Sequence, residues 1–339
     1  IPVLSSLEIG LAGRYDDYND FGTTVNPKVN VQFRPFETLL LRASYGTGFK
    51  APEVEFLYAP PFSTGDAVID TWGCSQTPED VDGDGRADVD ESELSQSHPC
   101  VEQWYNSVWS GNPDLDPEES DNWTAGLVFS PTTDLSLILD YYNIELHEMI
   151  WGEDPQSKVD EEFELRQAGE TGSRVGRVAR APSGRIERLF YTVENIDTVK
   201  TDGLDAEIRY AFTVGPVGDF TTTLRWTHVL SYEQDYARNE EGMQDWVGHV
   251  GHPQDRGQLT INWNLGNYAA TIVGNYISDQ DGNTWDEEND HLASFTTWDV
   301  QASYSTPWNG QVTIGARNVF DRDPPRSNSN DGYDKTQHE

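Results

Sequence analysis

The residues best suited to chemistry lie in one polar stretch. Asp80-Val-Asp-Gly-Asp-Gly-Arg-Ala-Asp-Val-Asp-Glu91 has the spacing of a twelve-residue calcium loop. Asp80, Asp82 and Asp84 fall at ligand positions one, three and five, and Gly85 allows the sharp turn at six. Arg86 offers its backbone carbonyl, Asp88 a direct or water-mediated contact, and Glu91 a bidentate carboxylate. Hard, anionic oxygen ligands are what Ca²⁺ requires; the competing reading is a solvated acidic loop. Residues 53–119 hold 17 acidic side chains against one base, Arg86, so self-repulsion keeps the segment open unless a cation gathers it. The expected role of calcium is therefore structural. Cys74 and Cys100, the two cysteines of the chain, bracket the motif. A pair confined to one loop reads as a disulfide made in an oxidising compartment, against two free thiols. Closing a loop of roughly 27 residues contributes about 3 kcal/mol by chain entropy.

Other polar groups are less specific. His249 and His252, in Gly248-His-Val-Gly-His-Pro253, have the spacing to share a metal or a ferric ligand, or are ordinary loop histidines. Arg174, Arg177, Arg180, Arg185 and Arg188 form the basic cluster of a chain whose net charge is −37. The cluster reads either as an attractor of anionic ferric complexes or lipid phosphate, or as plain loop and strand entry. With 59 acidic residues, any two carboxylates pair as a glycosidase dyad, so that pairing is not diagnostic. No nucleophile elbow, HExxH helix, Walker loop or dinucleotide fingerprint occurs, and no enzymatic activity is expected. The acidic balance excludes nucleic acid as a partner, since phosphate binding needs clustered Lys and Arg.

The elements that position these groups are strands. Leu259, Ile261, Trp263 and Leu265 alternate with Gln258, Thr260, Asn262 and Asn264. Leu204, Ala206, Ile208, Tyr210 and Phe212 alternate with Asp205, Glu207 and Arg209. One face is wet and the other apolar, ending in aromatics. Eleven such strands are predicted, over about 7–18, 24–36, 39–51, 120–131, 135–151, 186–213, 219–234, 255–266, 268–278, 294–306 and 310–322. Their connections alternate between short turns (Pro35, Pro131, the Gly266-Asn267 pair, Pro307–Gly310) and long polar links such as 53–119 and 152–185. That asymmetry is the layout of an antiparallel transmembrane β-barrel with long extracellular loops. Tyr45, Trp123, Tyr141, Tyr142, Trp226, Tyr232, Trp263, Tyr276 and Trp298 fall near strand ends, where aromatic girdles are expected. No stretch approaches the roughly 18 apolar residues of a membrane helix.

Several stretches resemble the TonB-dependent outer-membrane receptors. Arg42-Ala-Ser-Tyr-Gly-Thr-Gly-Phe-Lys-Ala-Pro52 is similar to their strand ending in Phe-Arg-Ala-Pro, with Lys50 in place of Arg. Gly111-Asn-Pro-Asp-Leu-Asp-Pro-Glu118 resembles their Asn-Pro-x-Leu-x-Pro-Glu box. Thr201-Asp-Gly-Leu-Asp205 looks like their Gly-(Val/Leu)-(Asp/Glu) step, and Gly315-Ala-Arg-Asn-Val-Phe-Asp-Arg-Asp-Pro324 like their penultimate strand. The resemblance implies a 22-stranded barrel with a plugged lumen, of which residues 1–339 supply the C-terminal part, with an insertion at about 53–119. It further implies a cell outer membrane location and uptake of a scarce ligand, a ferric siderophore above all, with cobalamin, haem and oligosaccharide as alternatives. Outer-membrane lipid and an inner-membrane energy-coupling protein, the latter reached through an N-terminal segment, are the implied partners. His98 lies between two of the boxes, where haem receptors of the family carry an axial ligand; an exposed loop histidine is the simpler reading.

Strand parity adds an expectation about the chain itself. Eleven antiparallel strands leave both edges running the same way, and bacterial single-chain barrels have even counts. A last strand beyond Glu339 and further strands before Ile1 are therefore expected, and the resemblance implies that a plug also lies outside residues 1–339. The start, Ile1-Pro2-Val3, reads as a mature or internal segment. The competing classes are a passive porin-like or adhesive outer-membrane barrel, and a secreted calcium-dependent carbohydrate-binding β-protein.

Overall fold

The computed structural model describes residues 6–19, 21–170, 175–234, 242–281 and 291–325. The first strands in chain order are β1 (Ser6–Tyr18), β2 (Gly22–Phe36), β3 (Leu39–Lys50), β4 (Phe62–Val68), β5 (Gln103–Ser110) and β6 (Glu118–Phe129). Next come β7 (Leu135–Gly152), β8 (Val178–Arg180), β9 (Ile186–Val214), β10 (Gly218–Gln234), β11 (Gln244–Asp245) and β12 (Asp255–Leu265). The last are β13 (Tyr268–Ile277), β14 (Gln280–Asp281), β15 (His291–Leu292), β16 (Phe295–Ser305) and β17 (Gln311–Ala316). Three helices, α1 (Val54–Tyr58), α2 (Thr71–Cys74) and α3 (Pro155–Gln167), lie between β3 and β8.

The eleven long strands pair antiparallel with their neighbours in the order β1-β2-β3-β6-β7-β9-β10-β12-β13-β16-β17. The fold is all-β, an antiparallel sheet of barrel type that stays open, since among the described residues β1 does not pair with β17. Strict alternation explains the pairing: a one-residue slip would turn every apolar side chain to the wet face. The dry face carries Leu7, Ile9, Leu11, Val29, Leu139, Ile208, Ile272, Val300 and Ile314, all large and exposed. The wet face carries cross-strand polar pairs such as Arg42 Nε to Asp140 at 2.9 Å and Arg225 Nε to Glu207 at 2.8 Å. Among the described residues no helix is long and apolar enough to cross a membrane.

Two aromatic belts cross the dry face. Register places Tyr45 opposite Trp123, Ala206 opposite Trp226, and Gly257 between Trp226 and Tyr276, with Trp298 opposite Gly274. Tyr141 joins this belt, its ring 5.0 Å from that of Trp123. Trp226 and Tyr276 stack at 5.4 Å across Gly257. A Cβ at Gly257 would lie 2.6 Å from the Trp226 ring, so glycine is what lets the indole lie flat. The second belt, near the short turns, contains Tyr210, Phe212, Phe220, Tyr268 and Tyr304, with Phe212 and Phe220 stacked at 5.2 Å. Tyr268 and Tyr276 sit on one strand eight positions apart, which is about 26 Å at the usual strand rise.

Four details depart from the sequence reading. Tyr142 is not a girdle residue: neighbours on a strand face opposite ways, and Tyr142 lines the wet face with Arg42, Asp140 and Asp205. Tyr232 lies beyond the upper belt, past a register shift at Val229/Ser231, with its ring 4.2 Å from His252. The final strand ends at Ala316, because Asn318 folds the chain into a turn. Its side-chain amide donates to the Arg322 carbonyl at 3.0 Å and accepts from the Arg322 N–H at 3.0 Å, at φ +45°. Finally, the links 53–119 and 152–185 are not plain loops but build a small second layer.

Candidate functional site

That layer is a cap on the long-loop end of the sheet. β4 and β5 form a hairpin, and β5 runs parallel to the outer part of β9 through Ser107 to Ser110. β8 closes the other side of β9, and α3 packs across this small sheet. Val68, Tyr105, Val159, Val178, Ile186 and Leu189 form the buried cluster between them. A second cluster, Leu57, Leu115, Ile150 and Val193, seats the cap on the barrel strands. The single-layer sheet has no interior of its own, and both buried hydrophobic clusters of the described residues sit here.

The base of the cap is built from the sequence boxes. Lys50 and Glu118 end paired strands, and their side chains form an ion pair at 3.1 Å. Glu118 also accepts from the Ile150 N–H at 3.0 Å. The Asn112 amide donates to the Val193 carbonyl at 3.0 Å, and Asn195 donates to the carbonyls of Asp116 and Glu148, each at 2.8 Å. Two boxes distant in sequence, 42–52 and 111–118, therefore meet at one seam with β7 and β9. Gly203 serves the sheet instead: a Cβ there would lie 2.6 Å from the His228 carbonyl oxygen.

Cys74 and Cys100 form a disulfide, with Cα atoms 4.7 Å apart. The acidic motif folds beside it as a run of side-chain-to-backbone turns. Asp80 accepts from the N–H groups of Gly83 at 2.6 Å and Gly85 at 2.7 Å. Asp82 accepts from Asp84 N–H at 3.2 Å, Asp84 from Arg86 N–H at 2.7 Å, and Asp88 from Val81 N–H at 2.5 Å. Gly85 has φ +87°, and its Cβ would collide with Thr71, so position six needs glycine for both conformation and space. Ligand oxygens of Asp80, Asp82 and Asp88 lie within 4.8 Å of one another, converging as a cation site requires; Asp84 is not in that group. The Arg86 guanidinium sits 3.6 Å from Asp160 of α3, which ties the motif to the cap. The Glu91 side chain lies outside the described residues.

Two members of the basic cluster, Arg177 and Arg180, are paired within the cap. Arg180, whose side chain is 6% exposed, pairs with Asp70 at 2.7 Å and with Glu162, itself fully buried. Burial opposes the Arg180 charge, but hydrogen bonds to Glu162 and the field of Asp70 outweigh it and hold the guanidinium above its usual range. Arg177 bridges Glu153 at 2.7 Å and Glu194 at 3.2 Å, and Lys158 reaches Glu153 at 2.5 Å. Burial pushes the Glu153 carboxyl up, yet Lys158, the Glu194 hydrogen bond and the Thr192 N–H prevail and hold it below the ordinary carboxylate range. Glu194 is pushed up by burial and by its hydrogen bond to Glu153. Sequence reasoning missed these acid partners because they lie up to 110 positions away. Arg174 lies outside the described residues.

The histidines separate. His98 Nδ1 accepts from the Cys100 N–H at 3.3 Å, and its Nε2 is 3.5 Å from Glu79, so it braces the disulfide loop. His249 and His252 belong to one tight turn, the His252 N–H donating to the His249 carbonyl at 2.8 Å. Their rings take different neighbours, Trp246 for His249 and Tyr232 for His252.

Comparison with known proteins agrees with this architecture. A family model described as the TonB-dependent receptor-like β-barrel matches residues 1–319. A mutant of the ferric enterobactin receptor PfeA from Pseudomonas aeruginosa superposes with a TM-score of 0.64 at 16% identity, over 94% of this chain and 38% of that one. The siderophore receptor PirA from Acinetobacter baumannii gives 0.64 at 15% identity, over 96% and 41%. A chain of the FpvAI–pyocin S2 complex gives 0.52 at 16%, over 95% and 34%. The chain thus spans about two fifths of the length of the two siderophore receptors.

Proposed function

This chain belongs to the TonB-dependent receptor β-barrel family, and from that premise we propose that it takes part in energised uptake of a ferric siderophore across the outer membrane. The observation that carries the reading is the pairing of a two-belted, lipid-suited sheet with a cross-linked cap on its long-loop side. The belts suit a bilayer whose barrels show an apolar band about 25 Å tall between aromatic girdles. Energy would come from an inner-membrane energy-coupling protein. Calcium would be a structural ion of loop 80–91, held by Asp80, Asp82 and Asp88 together with Asp84, the Arg86 carbonyl and Glu91; the convergence of the first three supports this.

The test is accumulation of a radiolabelled ferric siderophore by cells carrying or lacking the receptor gene, with and without a protonophore. Receptor-dependent uptake abolished by the protonophore is the expected result. Receptor-dependent uptake that persists without the proton gradient would identify a passive pore instead. Terbium luminescence tests the ion: titration of the folded chain should give a saturable signal that Asp82→Ala with Glu91→Ala removes.

A further inference from the structure

The cap contains a cavity of about 300 Å³ that none of the chemistry above uses. It opens beside the Cys74–Cys100 bridge, and three segments wall it. Trp72 and Gln76 come from α2 and its exit, Gln103 and Tyr105 from the start of β5, and Arg185 from the turn into β9. One buried side chain fastens two of these walls. Arg180 Nη1 donates to Asp70 Oδ2 at 2.8 Å on the α2 side and to the Gly184 carbonyl at 2.8 Å on the turn side. Asp70 caps α2 by accepting from the Gly73 N–H at 2.9 Å. The turn is closed by Gly184 N–H to the Ala181 carbonyl at 2.8 Å and Ala181 N–H to the Arg185 carbonyl at 2.9 Å. Trp72 is steadied by the Arg166 guanidinium, 5.5 Å from its ring centroid. The walls are therefore set before any ligand arrives, which reduces the ordering cost of binding.

The lining also specifies a chemistry. Asp70, the acid in the wall, is neutralised by Arg180. Arg185 differs from Arg177 and Arg180 in forming no ion pair among the described residues. Arg185 and Tyr105 line the cavity together. In a chain of net charge −37, a guanidinium without an acid partner is a local positive focus. Its planar fork matches a carboxylate, and Gln76 and Gln103, whose amide nitrogens are held by Ser75 Oγ at 2.9 Å and the His98 carbonyl at 2.7 Å, make the neighbouring wall polar and fixed. The Trp72 indole supplies an apolar surface for a ring. The volume is at the low end for a ligand site and suits one ring with its acid group. We propose that this cavity binds a small ring-bearing carboxylate, with Arg185 holding the acid group.

This inference stands apart from the iron-complex reading. It is tested by calorimetric titration of the full chain, folded in detergent, with benzoate and with galacturonate as probes. Benzamide and galactose serve as their uncharged counterparts. At least one acid should bind saturably, with its uncharged counterpart tenfold or more weaker; which acid binds tells an aromatic from a sugar source. Arg185 is exposed, so Arg185→Gln keeps the fold, and it should weaken the bound acid at least tenfold. Absence of saturable binding by both acids, or equal binding by Arg185→Gln, overturns the proposal. Siderophore accumulation measured in parallel separates the two readings, because uptake that continues while Arg185→Gln binds acid normally removes only this one.

Discussion

Replacing Arg180 with Met removes the ion-pair partner of buried Asp70 and one of the two partners of buried Glu162, which keeps Arg166 at 2.6 Å. Stranding buried charge in this way costs about 3–5 kcal/mol. Arg180→Met should therefore loosen the cap while leaving the sheet folded, seen as faster amide exchange at Val68, Leu189 and Val178 with unchanged exchange in β12 and β13. The Glu153–Glu194 pair makes a pH prediction with two limbs. Glu153 sits low, so its contribution is present at neutral pH and is lost as pH falls through that depressed value. Glu194 sits high, so its contribution is present below the ordinary carboxylate range and is lost as pH rises through the raised value. Cap protection plotted against pH should show both limbs, and Glu194→Gln should abolish the upper one only. At this scale the sequence was half legible. Spacing alone found the cysteine pair that forms the disulfide, and it placed Asp80, Asp82 and Asp88 in one turn. Which arginines pair could not be read, because the acids that hold Arg177 and Arg180 are brought near only by the fold.

The strands of the sheet could be read within a few residues at most ends, because alternation is enforced at every position once one face must be dry. The cap elements could not. β4, Phe-Ser-Thr-Gly-Asp-Ala-Val, alternates weakly, and β5 sets Trp104 beside Tyr105, so neither shows a clean face. In α3 the buried positions include Lys158 and Glu162 alongside Val159 and Phe163, which erases the apolar stripe that marks a helix. Glycine positions make the element-level test. Gly203→Ala places a methyl 2.6 Å from the His228 carbonyl and should force β9 and β10 apart. The expected outcome is loss of the folded, heat-modifiable band on gels, whereas Gly176→Ala, which meets nothing within 4 Å, should behave as wild type. On the proposed calcium reading, chelation acts on the cap as an element too. Removing calcium, or combining Asp82→Ala with Glu91→Ala, should raise protease nicking between Phe62 and Trp109; unchanged nicking would remove the structural ion.

For the whole molecule, the belts and the cap divide the tryptophans into two populations. Trp123, Trp226 and Trp298 lie on the dry face within the upper belt, while Trp104 stands 77% exposed in the cap. In vesicles with brominated acyl chains, a chain retaining the belt tryptophans should be strongly quenched. A chain retaining Trp104 alone should not be, and equal quenching would mean that the belts do not mark the bilayer. The disulfide has a consequence for biogenesis. A cap with its own dry core and a covalent crosslink is a folded parcel on the ends of strands that must enter lipid. Once Cys74 and Cys100 are joined, the segment between them can no longer pass as a single extended thread. Oxidation and membrane insertion therefore compete in time, and the order in which they occur sets whether the machinery inserting the sheet handles a string or a knot.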